Sequence, residues 1–154
     1  MSYEELQQQA YEDGIIVEEY PLKGYDGLCY DNLILIDSNF PTSIDKACVL
    51  AEELGHYYTT IGDILDQSDV RNRKQEYQAR LHGYNHMIGL SGIVSAAKAG
   101  CRNRYEVATH LGVNEEYLKE ALKIYESKYG IGVALDNYWI MFTPYLQVYR
   151  HKKL

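Results

Sequence analysis

Two adjacent glutamates and a histidine one helical turn further on, in Ala51-Glu52-Glu53-Leu54-Gly55-His56, are the residues of this chain best spaced for chemistry. Residues four apart on a helix share a face, so Glu52 and His56 can offer a carboxylate oxygen and an imidazole nitrogen to one ion. The HExxH pattern uses this spacing with two His as ligands, and its Glu accepts a proton from the attacking water. Here His56 fills the second ligand position and Glu53 the general-base position, while Glu52 stands where the first His would be. A carboxylate can still ligate zinc. The string EExxH alone is a weak signal and more often describes a solvated helix face.

The other reactive side chains form weaker patterns. His82 and His86 are also four apart and could pair on a metal, but no carboxylate motif accompanies them, and packing or surface roles are favoured. His110 reads as a helix-end residue, and His151 belongs to a basic tail, His151-Lys152-Lys153, expected to fray. Cys48 falls on an apolar helix stripe and reads as core rather than nucleophile. No Gly-rich phosphate loop and no GxSxG elbow is present.

The elements that must position these residues follow from pattern and caps. Tyr3 to Glu12 reads as a helix stopped at Gly14 and Ile15 to Tyr20 as a strand; Leu28 to Tyr30 and Leu33 to Asp37 form a hairpin around Asp31-Asn32. Thr42 or Ser43 can cap the helix that carries Glu52, whose apolar stripe is Ile44, Ala47, Cys48, Ala51, Gly55 and Tyr58 and whose pattern ends at Gly62-Asp63. A polar stretch, Asp66 to Lys74, leads to a second amphipathic helix marked by Tyr77, Leu81, Tyr84 and Ile88, and Ile93 to Ala99 forms a short helix closed by Gly100. Arg104 to Leu111 and Glu115 to Tyr129 are two helices joined at Gly112-Val113-Asn114, with Asn114 as N-cap and Gly130 beyond the C-terminus. Ile131 to Tyr149 is β-structure turning at Asp136-Asn137, with Pro144 ending a strand. The expected fold is α+β, in one domain spanning residues 1–154: an N-terminal helix and small antiparallel sheet, a central helix pair, then a helical hairpin with terminal strands.

Val49-Leu50-Ala51-Glu52-Glu53-Leu54-Gly55-His56-Tyr57-Tyr58 resembles the active-site helix of the ImmA/IrrE metallopeptidase family. So do its surroundings: the N-terminal helix, the Gly27-Leu28-Cys29-Tyr30-Asp31-Asn32 hairpin ending in Ile36-Asp37, and Thr42 opening the helix. Downstream, Arg73-Lys74-Gln75-Glu76-Tyr77-Gln78-Ala79-Arg80 resembles the family's second helix, which supplies a Glu ligand. The likeness runs from about Gly14 to the C-terminus. It implies a zincin-like fold, with metal held by Glu52, His56 and Glu76 and with Glu53 as general base. Helices of this kind often carry Asp four residues after the ligand Glu; here Arg80 occupies that place. An Arg there suits a Glu at position 52, whose extra charge it would offset and whose carboxylate it would orient. The alternative is a Glu52–Arg80 salt bridge that has replaced a corner of the metal site. The oxygen-rich donor set predicts zinc binding that is weak or absent compared with an HExxH relative.

The resemblance implies a metal-dependent endopeptidase, a hydrolase acting on a phage or mobile-element repressor. The alternative is a catalytically degenerate module that binds a repressor or another regulatory protein without cutting it. Composition is compatible with both. The 154 residues are 46% hydrophobic and 24% charged, with 16 Tyr whose rings suit half-buried faces. A net charge of −7 argues against a duplex-DNA partner. The segment Tyr105 to Leu118 resembles a helix-turn-helix, but Glu115, Glu116 and Glu120 at the front of its second helix would repel phosphates, so it reads as a packing unit. Cys29, Cys48 and Cys101 are widely spaced, without CxxC, which fits reduced thiols in the cytoplasm. The first residues, MSYEELQQQAYEDG, are polar and acidic and do not read as the basic start and apolar run of a signal peptide, and no stretch approaches the ~20 apolar residues of a membrane span.

Overall fold

In the computed structural model, residues 1–59 and 70–151 are described, residues 70–72 by their backbone alone. Among them the fold is α+β, with six helices and two three-stranded sheets. The chain divides into two compact units, Met1–His86 and Met87–Leu154.

In the first unit, Ser2 and Glu5 cap each other reciprocally and start helix α1 (Tyr3–Glu12). Leu6 and Ala10 on α1 are fully buried. Gly14, at φ 75°, turns the chain into strand β1 (Ile16–Tyr20). Strands β2 (Gly27–Tyr30) and β3 (Leu33–Asp37) form the expected hairpin, with Asp31 left-handed at φ 49°. The sheet order is β1-β3-β2, and β1 runs parallel to β3, so the sheet is mixed and the antiparallel expectation is corrected. The reason is the composition of β3. Leu33-Ile34-Leu35-Ile36 is apolar on both faces, so it takes the central position, with Ile34 and Ile36 fully buried, and leaves β2 at an edge.

Thr42 caps helix α2 (Ser43–Thr59): its Oγ1 accepts from the Asp45 N–H at 3.1 Å and donates to Asp45 Oδ2 at 2.8 Å. The expected apolar stripe holds at Ala47, Cys48, Ala51 and Gly55, whereas Ile44 and Tyr58 at its ends are exposed, 42% and 44%. A second face of α2 is buried as well, through Leu50, Glu53 and Leu54, because α2 packs against both α1 and the β2–β3 hairpin. Helix α3 (Val70–Met87) follows; it buries Leu81 and Tyr84 and stops one residue short of Ile88. The expected end of α2 at Gly62-Asp63, and Asp66 to Asp69 of the polar stretch, lie outside the described residues.

The second unit is built from helices α4 (Gly89–Lys98), α5 (Arg104–Leu111) and α6 (Glu115–Tyr129) and an antiparallel meander, β4 (Gly132–Leu135), β5 (Tyr138–Met141) and β6 (Gln147–Arg150). Its boundaries are written in caps. Asn103 Oδ1 accepts from the Glu106 N–H at 2.8 Å, Asn114 Oδ1 from the Tyr117 N–H at 2.7 Å, and Gly112 ends α5 at φ 71°. Ile93, Leu118, Tyr125 and Ile140 form the core. Pro144 lies in the β5–β6 connection. His151 does not fray: its N–H donates to Asn137 O and its ring accepts from Trp139 Nε1 at 3.1 Å. Lys152 and Lys153 lie outside the described residues.

Candidate metal centre

Glu52 and His56 project from α2 and Glu76 from α3; Gly55 lets the two helices meet. A β-carbon at Gly55 would lie 2.2 Å from the carbonyl oxygen of Ala79, far inside any real contact. The backbones of α2 and α3 therefore touch at a point only glycine permits. Gly55 immediately precedes His56, and the buried Ala79 immediately precedes Arg80, so this contact sets the spacing of everything around it.

One ligand atom from each of Glu52, His56 and Glu76 lies within 4.8 Å of the other two, and all three residues are half-buried. These are the three that the sequence reading nominated. His56 Nε2 stands 3.5 Å from Glu76 Oε2. Ligand atoms about 2.1 Å from a tetrahedral ion are about 3.4 Å from each other, so this separation suits a shared cation better than a close hydrogen bond. One imidazole nitrogen and two carboxylate oxygens form a donor set that fits zinc and fits manganese nearly as well.

Glu53 lies against β2. A β-carbon at Gly27 would come within 2.9 Å of Val49 Cγ1 and 3.0 Å of Glu53 Cγ, so the bare glycine makes room for this side chain. Glu53 is the one charged residue in the buried set among the described residues, at 9% exposure. Burial first, then the negative charges of Glu52 and Glu76, push its carboxyl up to about 8. Next to it, burial and the charges of Glu53 and Asp31 push the Cys29 thiol up to about 11, which makes it a poor nucleophile at neutral pH.

Arg80 donates through Nε to Glu76 Oε1 at 3.2 Å, an i,i+4 pair on α3, with its side chain 47% exposed. Burial lowers its pKa, but the charges of Glu52, Tyr84 and Glu76 outweigh that and hold it above its ordinary value. Arg80 thus interacts with both carboxylates of the triad. The bond to Glu76 was not anticipated, although i,i+4 spacing on one helix is a readable signal for it.

His82 and His86 stand apart from the triad, in a recess lined also by Gln9, Glu12, Asp13 and Tyr58. His82 stacks on Tyr58 at 5.3 Å between ring centroids, and His86 Nε2 bonds Gln9 Oε1 at 2.8 Å. Burial lowers the pKa of both rings, as expected of packing histidines. His110 closes α5 with a 3.1 Å bond to Ser95 Oγ, and Cys48 is core. The three cysteines are free thiols. No described helix is long and apolar enough to cross a membrane. Comparison of the chain with protein-family models, with curated proteins and with solved structures finds no match.

Proposed function

We propose that Glu52, His56 and Glu76 hold a divalent cation and that the protein is a metal-dependent endopeptidase of zincin-like fold, acting on a phage or mobile-element repressor. The observation that carries the metal site is the convergence of three ligand atoms from two helices within 4.8 Å. The substrate class rests on the sequence resemblance to the ImmA/IrrE family. When bound, such an ion acidifies water and polarises a carbonyl. The rest of the chemistry falls to the protein's own side chains. Glu53 accepts a proton from the attacking water at its carboxylate and delivers it to the leaving amine. Its carboxyl, pushed up to about 8 by burial and two neighbouring carboxylates, is basic enough to hold that proton. A cation among those carboxylates cancels part of the upward push, which brings Glu53 toward the neutral range where a general base works best.

A second reading is a peptidase-fold module that binds a repressor or other regulator without cleaving it. The 3.2 Å bond from Arg80 to Glu76 favours it, since the cation of Arg80 can occupy the role of a metal charge. One experiment separates the two. Calorimetric titration with zinc and manganese is combined with mass spectrometry of candidate repressors after incubation. The peptidase reading expects one bound ion, lost in His56→Ala, and cleavage lost in Glu53→Gln while the ion stays bound. A protein that binds a repressor but neither metal, and leaves the repressor intact, is the module instead.

A further inference from the structure

Charge is distributed unevenly along this acidic chain. Residues Met1–His86 hold sixteen acidic and six basic side chains, net −10, whereas Met87–Leu154 hold six acidic and nine basic, net +3. Within the second unit some of that positive charge collects at one place. A groove of about 880 Å³ runs between α4, α5, α6 and the segment leading into β6. Its apolar lining includes Val107, Leu122 and Phe142, and its basic lining includes Arg104, Lys119 and Lys123.

Arg104, Lys119 and Lys123 are all exposed. None has a carboxylate within ion-pair distance among the described residues. Lys119 and Lys123 stand one turn apart on α6, where like charges repel. Arg104 is the first residue of α5, where the helix dipole disfavours a positive charge. The other charged groups at the groove are already engaged: Arg102 pairs with Glu106 at 3.7 Å, and Glu126 Oε1 accepts from Thr143 Oγ1 at 2.9 Å. Tyr145, 66% exposed, adds an unburied ring to the same lining.

We propose that this groove is a docking site for an acidic peptide segment of a partner protein, with apolar side chains seated on the groove floor and carboxylates against Arg104, Lys119 and Lys123. The apolar floor residues suit aliphatic or aromatic anchors, and exposed cations beside them supply the complementary charge. Nucleic acid fits less well. Glu115 and Glu116 are not part of the groove lining, whereas Val107, Leu122 and Phe142 are, and these apolar residues suit a peptide's side chains rather than phosphates. The groove lies wholly within the second unit, so the proposal stands independently of any hydrolysis by the first.

Fluorescence anisotropy on the full chain in EDTA tests it. The probe is a labelled amphipathic peptide of roughly three helical turns with Glu on one face and Leu on the other. Companion probes carry Lys in place of Glu, or Gly in place of Leu, and a fourth is oligo-dT. The Glu/Leu peptide should bind at least about tenfold more tightly than each companion and weaken with added salt. Lys119→Gln with Lys123→Gln should weaken it by about tenfold, with a melting temperature unchanged or slightly raised. If that double variant melts lower, Arg104→Gln gives the same reading from another helix. Equal binding of the Lys/Leu peptide, indifference to the lysine and arginine changes, or tighter binding of oligo-dT would each overturn the proposal.

Discussion

The two compact units obey the same rules of helix and sheet formation with opposite results around their charges. The second unit is net positive, and every residue in its buried set is apolar or tyrosine. Its charge stays at the surface, and α5 and α6 begin at Asn caps and end at glycines. The first unit is net −10, buries Glu53 beside two further carboxylates, and brings two helix backbones together at Gly55. The first unit overrides local preference more sharply, at Glu53 and at Gly55. Overrides of this kind, a buried acid and a helix–helix backbone contact that only glycine permits, concentrate where side chains are held for chemistry rather than for stability.

The comparison is tested most severely by one substitution in each unit. Gly55→Ala drives a methyl group to 2.2 Å from a carbonyl oxygen, a backbone atom that cannot swing away. The helices must separate, at a cost of about 3 kcal/mol or more. Gly92→Ala, inside α4, meets only the Leu111 side-chain tip at 3.1 Å. Alanine is the better helix former by up to about 1 kcal/mol, so this change should be near neutral or mildly stabilising. Urea denaturation of both variants measures the difference. Equal losses would remove the claim that the α2–α3 contact at Gly55 is a forced approach and the position of Gly92 is not.

Titration of Glu53 should give the next effect in size. Its carboxyl rises from an ordinary 4.5 to about 8 in the folded chain, so the folded state keeps a proton that the unfolded state gives up. The stability this confers is complete below about pH 4.5 and is lost as pH rises through 8. Stability should therefore fall between those values, with a slope of up to about 1.4 kcal/mol per pH unit. Glu53→Gln should flatten that slope, and so should a saturating divalent cation, because it offsets the charges of Glu52 and Glu76. Thermal melts at pH 5.5 and 7.5, with and without zinc, are the measurement. An identical slope in Glu53→Gln would mean that Glu53 is not the strained group.

The contrast also explains what could be read in advance. Helices α5 and α6 were legible to the residue because Asn114, Gly112 and Gly130 mark their ends through bonds to atoms a few positions away. Helix α1 was legible for the same reason, through Gly14. The parallel pairing of β1 with β3 was not, since it depends on which strand is apolar on both faces of a sheet not yet assembled. Nor was the second buried face of α2. One stripe was expected, but packing on two sides buried Leu50, Glu53 and Leu54 as well. The triad Glu52, His56 and Glu76 was legible as residue types at helical spacing and through its resemblance to a family; its closure by the Gly55–Ala79 contact was not. The cations of the second unit's groove were missed because Arg104 lies on α5 and Lys119 and Lys123 on α6, and all three look like surface charge in sequence.

A smaller change refines the picture of the first unit. Gly27→Ala places a methyl group against the side chains of Val49 and Glu53, not against backbone, and of the two the longer Glu53 can give way. Its stability cost should be about 1 kcal/mol or less, near the low end for overpacking. On the peptidase reading its effect on hydrolysis should be the larger one, since Glu53 is the group displaced. A loss of stability without loss of activity would show that the position of Glu53 against β2 is unimportant.

The smallest expected effect concerns Arg80, where two influences oppose each other. Its Nε–Glu76 pair is nearly half exposed, and an i,i+4 pair in that setting contributes about 0.3–0.5 kcal/mol. Arg80→Ala should thus leave the melting temperature almost unchanged. Metal affinity is the more sensitive reading. Removing a positive charge beside a cation site strengthens binding by relieving repulsion, whereas removing a hydrogen-bond partner weakens it by loosening a ligand. The two oxygens of Glu76 are divided between these roles, Oε1 held by Arg80 at 3.2 Å and Oε2 facing His56 at 3.5 Å. Arg80 therefore leaves the His56-facing oxygen free and fixes its direction, while solvent at the exposed guanidinium screens the repulsion. Orientation should dominate, and zinc affinity should drop by about tenfold or less, a loss that Arg80→Lys restores only in part because an ammonium lacks the planar donor geometry. Tighter zinc binding by Arg80→Ala, most of all at low salt, would identify Arg80 as a competitor for the carboxylates and support the reading in which a salt bridge stands in for the metal.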